Sequence, residues 1–307
     1  MKRSKVEIKK RIAHRMNDRD LKRIYGDPNA RPKPIHVGLV SRHEQRTGIL
    51  NSPRSYGNEK GRLISFESIS FQPIQKEKKP ISIIVTAYEA QGYIEECLDS
   101  IESQTYFIDN NNFEVLLGVD GCVATSNKLL EIRHKYRNLR IFMMENNVGT
   151  YITSNTLLNV VKNKNIIRFD SDDVMRPEMI NEIMADSTGN KIVRFHFIQF
   201  QVVNNKRFEY DIKYYAQGVI FFTEEILNKL GGYMPWKCGA DADFLKRAEL
   251  LYETQFISIP LFYRRLHKNN LIYKYGGHHK LRKEYSGLVG KHSTINIEPI
   301  ISNYNEI

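Results

Sequence analysis

The sequence predicts an α/β protein. A Rossmann-like, mainly parallel central sheet carries helices on both faces, a smaller antiparallel portion follows it, and a basic extension precedes it. Three observations predict this. Apolar, β-rich runs alternate with helix-period segments four times between Ile81 and Phe169, at intervals of about 25–30 residues, as in a parallel sheet covered on both sides. Right-handed crossovers then bring the loops at Tyr88, Asp120 and Asp170 to one edge of the sheet. Third, the positive charge is confined to one end. Residues 1–80 hold 20 Lys+Arg against 8 Asp+Glu, whereas the other 227 hold 26 against 27, within a net charge of +11.

Taken in order, residues 2–25 place Ile8, Ile12, Met16, Leu21 and Ile24 at helix-like spacing among many basic residues. That is a basic amphipathic helix, suited to a polyanion, to an anionic membrane surface, or to packing on the rest of the chain. Residues 27–80 carry Pro28, Pro32, Pro34, Pro53, Pro73 and Pro80, and read as an extended arm with weak strands at best over 64–71. The chain then divides into this extension (1–80), a catalytic domain (81–267) and a tail (268–307).

From Ile81 the patterns sharpen. A strand over 81–87 is followed by a helix with Ile94, Leu98 and Ile101 on one face. A strand over 113–119 ends in Asp120-Gly121, and a helix over 127–136 leads to a strand over 139–144. The turn 145–149 enters a helix over 151–161. The run 166–169 breaks off into Asp170-Ser171-Asp172-Asp173, three carboxylates in four residues. Carboxylates are too costly to bury unpaired, so they belong where a strand end meets water, a helix N-terminus or a cation. Mg²⁺ and Mn²⁺ take oxygen ligands and commonly bind through one or two carboxylates plus substrate phosphates. A metal–diphosphate site at the carboxyl end of a parallel strand fits that chemistry. The plainer alternative is an acidic loop in which Asp173 caps a helix over 177–184.

Beyond that helix the pattern turns antiparallel. Strands over 191–203 and 208–215 flank the hairpin signal Asn204-Asn205-Lys206, and 217–223 is a further strand. After Gly231-Gly232-Tyr233, the stretch from Trp236, the single tryptophan of the chain, through Gly239 and Asp241 to Asp243 opens a helix. Two carboxylates in a first turn suit the helix dipole, while the glycine and tryptophan before them suit a binding loop. Short strands over 255–258 and 261–264 end at Arg264-Arg265-Leu266-His267.

These pieces, in this order, resemble the family-two glycosyltransferases, inverting nucleotide-sugar enzymes with the A-type glycosyltransferase fold. The resemblance spans residues 81–267. It rests on 83–89, on 93–105, on Val119-Asp120-Gly121 and on Asn146-Asn147-Val148-Gly149. It rests further on Phe169-Asp170-Ser171-Asp172-Asp173, on Gly231-Gly232-Tyr233 with Gly239 through Phe244, and on Tyr263 through His267. It implies a UDP-linked nucleotide-sugar donor and a divalent metal, Mn²⁺ or Mg²⁺. Thr86, Tyr88, Glu89, Asp120 and Asp170 are then nucleotide-side residues. Asp172, with Asp170 and His267, holds the metal, and Asp241 is the general base. Trp236 and Asp243 stand on the acceptor side, Asp243 competing for the base role because Ala240 replaces the glutamate usual before the base. Arg264 and Arg265 are either phosphate contacts or solvated strand-end residues; His278-His279 receives no role.

A polyanionic acceptor fits a basic arm ahead of a neutral catalytic domain, which points to hydroxymethylated bases of DNA and to a viral DNA-modifying member of the family. A cell-surface polysaccharide or glycolipid precursor is the alternative acceptor, and a non-catalytic nucleic-acid-binding protein is the alternative class. Cys97, Cys122 and Cys238 form neither a disulfide framework nor a metal spacing. No apolar run reaches the length of a membrane span, and the N-terminus lacks the apolar core of a signal peptide. The expected location is the cytoplasm, that of the host if the source is viral.

Overall fold

The computed structural model describes residues 78–185, 189–274, 280–291 and 296–307. The expected basic helix, the proline-rich arm up to residue 77 and His278-His279 lie outside the described residues.

The first half builds the parallel sheet. Strands β1 (Ile81–Ala87), β2 (Phe113–Val119), β3 (Leu139–Met144) and β4 (Asn165–Asp170) alternate with helices α1 (Ile94–Glu102), α2 (Val123–Ile132) and α3 (Thr150–Leu158). Every residue of β1 and β2 is buried, as expected for strands covered on both faces. Alternate residues feed two cores. Ile81, Ile83 and Val85 meet α1 and α2 residues such as Leu98 and Leu129 on one side. Ile84, Leu116 and Ile166 meet Leu157 and Leu158 of α3 on the other. The α3 crossing is close enough that a Cβ at Gly118 would stand 2.6 Å from Thr153 Cγ2.

The spatial order is β3-β2-β1-β4, all parallel. The chain moves outward from β1 to β3 and then returns to the far side of β1. The switch between β1 and β4 opens a crevice at their carboxyl ends, where open α/β sheets bind ligands.

The second half extends the same sheet. Strands β5 (Val174–Met175), β6 (Ile192–Val203), β7 (Lys206–Lys213), β8 (Ile220–Thr223) and β9 (Thr254–Arg265) are joined by α4 (Met179–Ala185), α5 (Glu224–Leu230) and α6 (Ala240–Glu249). β8 runs antiparallel to β4, and the β6–β7 hairpin turns through Asn204 and Asn205, both at positive φ, the conformation a tight two-residue turn requires. β6 and β9 pair in parallel, so this half is mixed rather than antiparallel. The two short strands expected over 255–264 are one strand. Pro260, which reads as a break, is absorbed by register shifts opposite Phe195, His196 and Phe197. Helix α2 begins earlier than the expected 127, directly after the β2 loop, because Thr125 Oγ1 accepts the Ala90 N–H at 3.0 Å and anchors the first turn.

Helices α7 (Leu271–Lys274) and α8 (Lys280–Leu288) follow β9, and the last residues rejoin the sheet as β10 (Tyr304–Glu306), antiparallel to β3. No helix of the described residues is long and apolar enough to cross a membrane.

Candidate active site

A cavity of about 1530 Å³ lies at the carboxyl ends of β1, β2 and β4, and Thr86, Tyr88, Glu89, Asp120, Asp170, Asp172, Asp173, Asp241 and His267 all line it. The sheet topology accounts for the first seven. Asp241 arrives from the first turn of α6 and His267 from just beyond β9.

On the β1–β2 side, Thr86 Oγ1 and Thr150 Oγ1 are 2.7 Å apart. Tyr88 is half exposed, and Glu89 turns the chain with φ 51°. Asp120, which lines the cavity, also holds a turn. Its Oδ1 accepts the Val148 N–H at 2.7 Å, its Oδ2 the Gly149 N–H at 3.0 Å, and it is 3% exposed. Burial raises its pKa, and these backbone donors oppose the rise. Both oxygens thus hold the turn that starts α3.

At the end of β4 the three carboxylates diverge. Asp170 Oδ1 accepts from Arg168 Nη1 at 2.8 Å. Asp172 Oδ2 is 2.7 Å from His267 Nε2 and accepts from Asn270 Nδ2 at 2.8 Å. Asp173 is buried and accepts the Arg265 N–H at 2.9 Å, so it ties the acidic turn to β9 and caps no helix. The start of α4 is served instead by Gln104 Oε1, which accepts the Ile180 N–H at 3.1 Å. Burial in the first place, then the neighbouring Asp172 and Asp170 charges, push the Asp173 pKa well up. Arg265 is equally structural: it donates to the Asp172 carbonyl at 3.0 Å, pairs with Glu96, and its guanidinium lies 4.5 Å from the Phe200 ring centroid. Arg264 faces the cavity and covers the Phe197 ring at 5.7 Å.

The donor set suits a hard cation in part. Asp172 and His267 converge, and the buried His267 Nδ1 has no hydrogen-bond partner among the described residues. No group of three or more His, Cys, Asp or Glu among the described residues is placed to hold a metal. Two protein donors are what Mg²⁺ or Mn²⁺ needs when phosphate oxygens and water complete its shell.

At the start of α6, Asp241 Oδ1 accepts from Tyr151 Oη at 3.0 Å and from the Ala242 N–H at 2.9 Å. Asp243 does not reach the cavity. It is fully buried, paired with Arg247 Nε at 2.8 Å, and Arg247 in turn donates to the Leu230 and Gly232 carbonyls. Two residues along a helix turn the side chain by about 200°, so Asp241 and Asp243 face opposite ways. Trp236 is also displaced from the expected acceptor side: it is 9% exposed and stacks on Tyr285 with ring centroids 5.1 Å apart. Ala240 is buried in the apolar cluster, so the residue before Asp241 supplies packing where a glutamate was expected.

Four contributors escaped the sequence reading: Tyr151, Arg168, Gly218 and Asn270. Arg168 carried a signal, since a cation inside an apolar strand must find partners. The others line up with the site only once the chain is folded.

A protein-family model described as Glycosyl transferase family 2 matches residues 82–239. Glycosyltransferase GlyG of Streptococcus pneumoniae serotype 4 is 28% identical over 187 residues, 57% of this chain and 58% of GlyG. The poly(ribitol-phosphate) beta-N-acetylglucosaminyltransferase TarS of Staphylococcus aureus is 32% identical over 108 residues, 34% of this chain and 18% of TarS. The crystal structure of TarS 1–349 with UDP-GlcNAc matches with a TM-score of 0.53 at 19% identity, covering 62% of this chain and 60% of that one. Mannosyltransferase PcManGT from Pyrobaculum calidifontis, in complex with GDP-Man and Mn²⁺, matches with a TM-score of 0.51 at 18% identity, over 62% and 59% of the two chains. The chain therefore spans less than two thirds of the length of these relatives, and the two structural likenesses are likenesses of fold.

Proposed function

Because the chain belongs to glycosyl transferase family 2, we propose that it moves a sugar from a UDP-linked donor to an acceptor hydroxyl with inversion at the anomeric carbon. One observation supports this reading above the rest: Asp172 with His267, and Asp241, from distant parts of the sequence, line one cavity. Nucleotide contacts fall to Thr86, Tyr88 and Glu89, which line the β1 side, with Asp120 shaping the turn behind them. Asp172 and His267 are the residues that would hold Mn²⁺ or Mg²⁺, which, when bound, neutralises the leaving diphosphate. Arg264, a cavity-lining guanidinium, adds a fixed positive charge on the same side.

Asp241 is the general base. Tyr151 fixes its Oδ1, leaving Oδ2 toward the cavity to receive the proton of the incoming hydroxyl. The bond from the acceptor oxygen to the anomeric carbon forms as the bond to the diphosphate oxygen breaks. The proton passes to Asp241 and the electron pair leaves with the diphosphate.

For the acceptor, the name of TarS, a poly(ribitol-phosphate) beta-N-acetylglucosaminyltransferase, favours a polyol-phosphate polymer or a related saccharide over DNA. The DNA reading rests on the charge of residues 1–80 alone. The test is nucleoside diphosphate release from UDP-glucose, UDP-GlcNAc and GDP-mannose with Mn²⁺ or Mg²⁺, alone and with three acceptors: poly(ribitol phosphate), a cell-wall polysaccharide, and hydroxymethylcytosine-containing DNA. Stimulation by either polymer supports the reading. Stimulation by DNA alone replaces the acceptor, and absence of release with every donor favours a non-catalytic binding protein.

A further inference from the structure

The donor and acceptor walls meet at Gly218, just before β8. A Cβ at this glycine would stand 3.3 Å from Arg168 Nη1 and 3.5 Å from both Asp170 Oδ2 and Asp241 Oδ2. Its backbone is not in the left-handed region, where φ runs from +20° to +160°, so the glycine is there for the space that it leaves rather than for backbone freedom. Arg168 forms the floor of that space. Only 4% exposed, it donates through Nη1 to the Gly218 carbonyl at 2.6 Å and to Asp170 Oδ1 at 2.8 Å, and through Nη2 to Thr150 Oγ1 at 3.1 Å. Nε lies 3.4 Å from Ser154 Oγ. A single guanidinium therefore grips β4, α3 and the segment leading into β8, and offsets the repulsion between carboxylates that face one small volume.

We propose that Arg168 and Gly218 are a positioning pair that fixes the gap between Asp170 and the base Asp241, and that the reacting carbon of the donor sugar sits in the space over Gly218. This rests on the glycosyltransferase reading above and assigns to it the place of transfer. Proximity chemistry makes the consequence steep, because displacement of a reacting group by about 1 Å can cost about 100-fold in rate. Thr86, Tyr88 and Glu89, given the nucleotide contacts above, are not among the atoms nearest the space over Gly218, so the glycine series separates transfer from nucleotide binding, whereas Arg168 is linked to Thr86 through Thr150.

The experiment compares the full-length wild type with Gly218→Ala, Gly218→Val, Arg168→Lys and Arg168→Gln. Release of nucleoside diphosphate from the most active donor gives kcat and KM, UDP affinity is measured by calorimetry, and folding by thermal unfolding. Gly218→Val is expected to lower kcat about 100-fold with UDP affinity and KM within about 3-fold, and Gly218→Ala to lie between it and wild type. Arg168→Lys, which keeps the charge but loses the planar fork, is expected to retain more kcat than Arg168→Gln at a similar KM. If Arg168→Gln does not fold, the glycine series decides. Wild-type kcat in Gly218→Val, or parallel loss of UDP affinity and turnover, overturns the pair. Absence of release by the wild type removes instead the glycosyltransferase reading.

Discussion

The Tyr151 hydroxyl accepts the Gly239 N–H at 3.2 Å and donates to Asp241 Oδ1 at 3.0 Å. Because the amide can only donate, the relay has one direction, and the phenol proton points at the carboxylate. Burial, then the Asp241 charge, raise the Tyr151 pKa well above its ordinary value, so the donor stays protonated. Tyr151→Phe removes this restraint and leaves the fold with a loss of about 1 kcal/mol. Transfer is expected to fall about 10-fold at unchanged UDP affinity. Equal kcat in the variant would remove Tyr151 from the site.

Asp241→Asn and Asp243→Asn separate chemistry from architecture. The first is expected to lower kcat by about 100-fold or more, the scale of general-base catalysis, with the melting temperature kept. The second leaves Arg247 buried beside a neutral partner and is expected to cost about 3 kcal/mol of stability, read as a lower melting temperature. The reverse pattern in the two variants would reassign the base.

Chelation should abolish turnover and added Mn²⁺ restore it, with Asp172→Asn requiring more metal than wild type. His267→Ala is expected to weaken Mn²⁺ affinity by about 10–100-fold, measured by calorimetry in the presence of UDP. Turnover that survives exhaustive chelation would exclude the metal role of this pair.

At the sheet edge, Arg140 holds Glu306 through Nε at 2.7 Å and Nη2 at 3.2 Å. This hydrogen bonding lowers the Glu306 pKa below its ordinary 4.5 against partial burial. A depressed folded value means that the contribution is complete above the unfolded pKa and is lost as pH falls through the folded one. The pair is partly exposed, so the gain is below about 1 kcal/mol. Protection of the β10–β3 amides from hydrogen exchange, taken relative to their intrinsic rate at each pH, should fall in acid below pH 4.5, and Glu306→Gln should show that lower protection already at neutral pH.

The sheet was legible because its signals are local. The run 139–144 is β3 from end to end, and Asn204-Asn205 marks its hairpin. The acidic turn and Asp241 were legible as clustered charge after a buried strand and before a helix. Trp236 was misplaced because an aromatic beside glycines suits a binding loop and a core stack equally well, and Tyr285, its stacking partner, is distant in sequence. Arg168 was absorbed into an apolar run although it is the one charged residue within it. The strand β10 is too short for any period to reveal, and only pairing with β3 defines it.

The turn gripped by Asp120 has a practical consequence. Residues 148–151 touch Asp120, Thr86, Arg168 and Asp241 within one helical turn, so both halves of the cavity are geared to the same few peptide units. Anyone seeking to retarget this scaffold to a new alcohol should leave that turn and Asn270 untouched and graft diversity at Lys268 and Leu271 on the cavity lining, where side chains can be exchanged without resetting the gears.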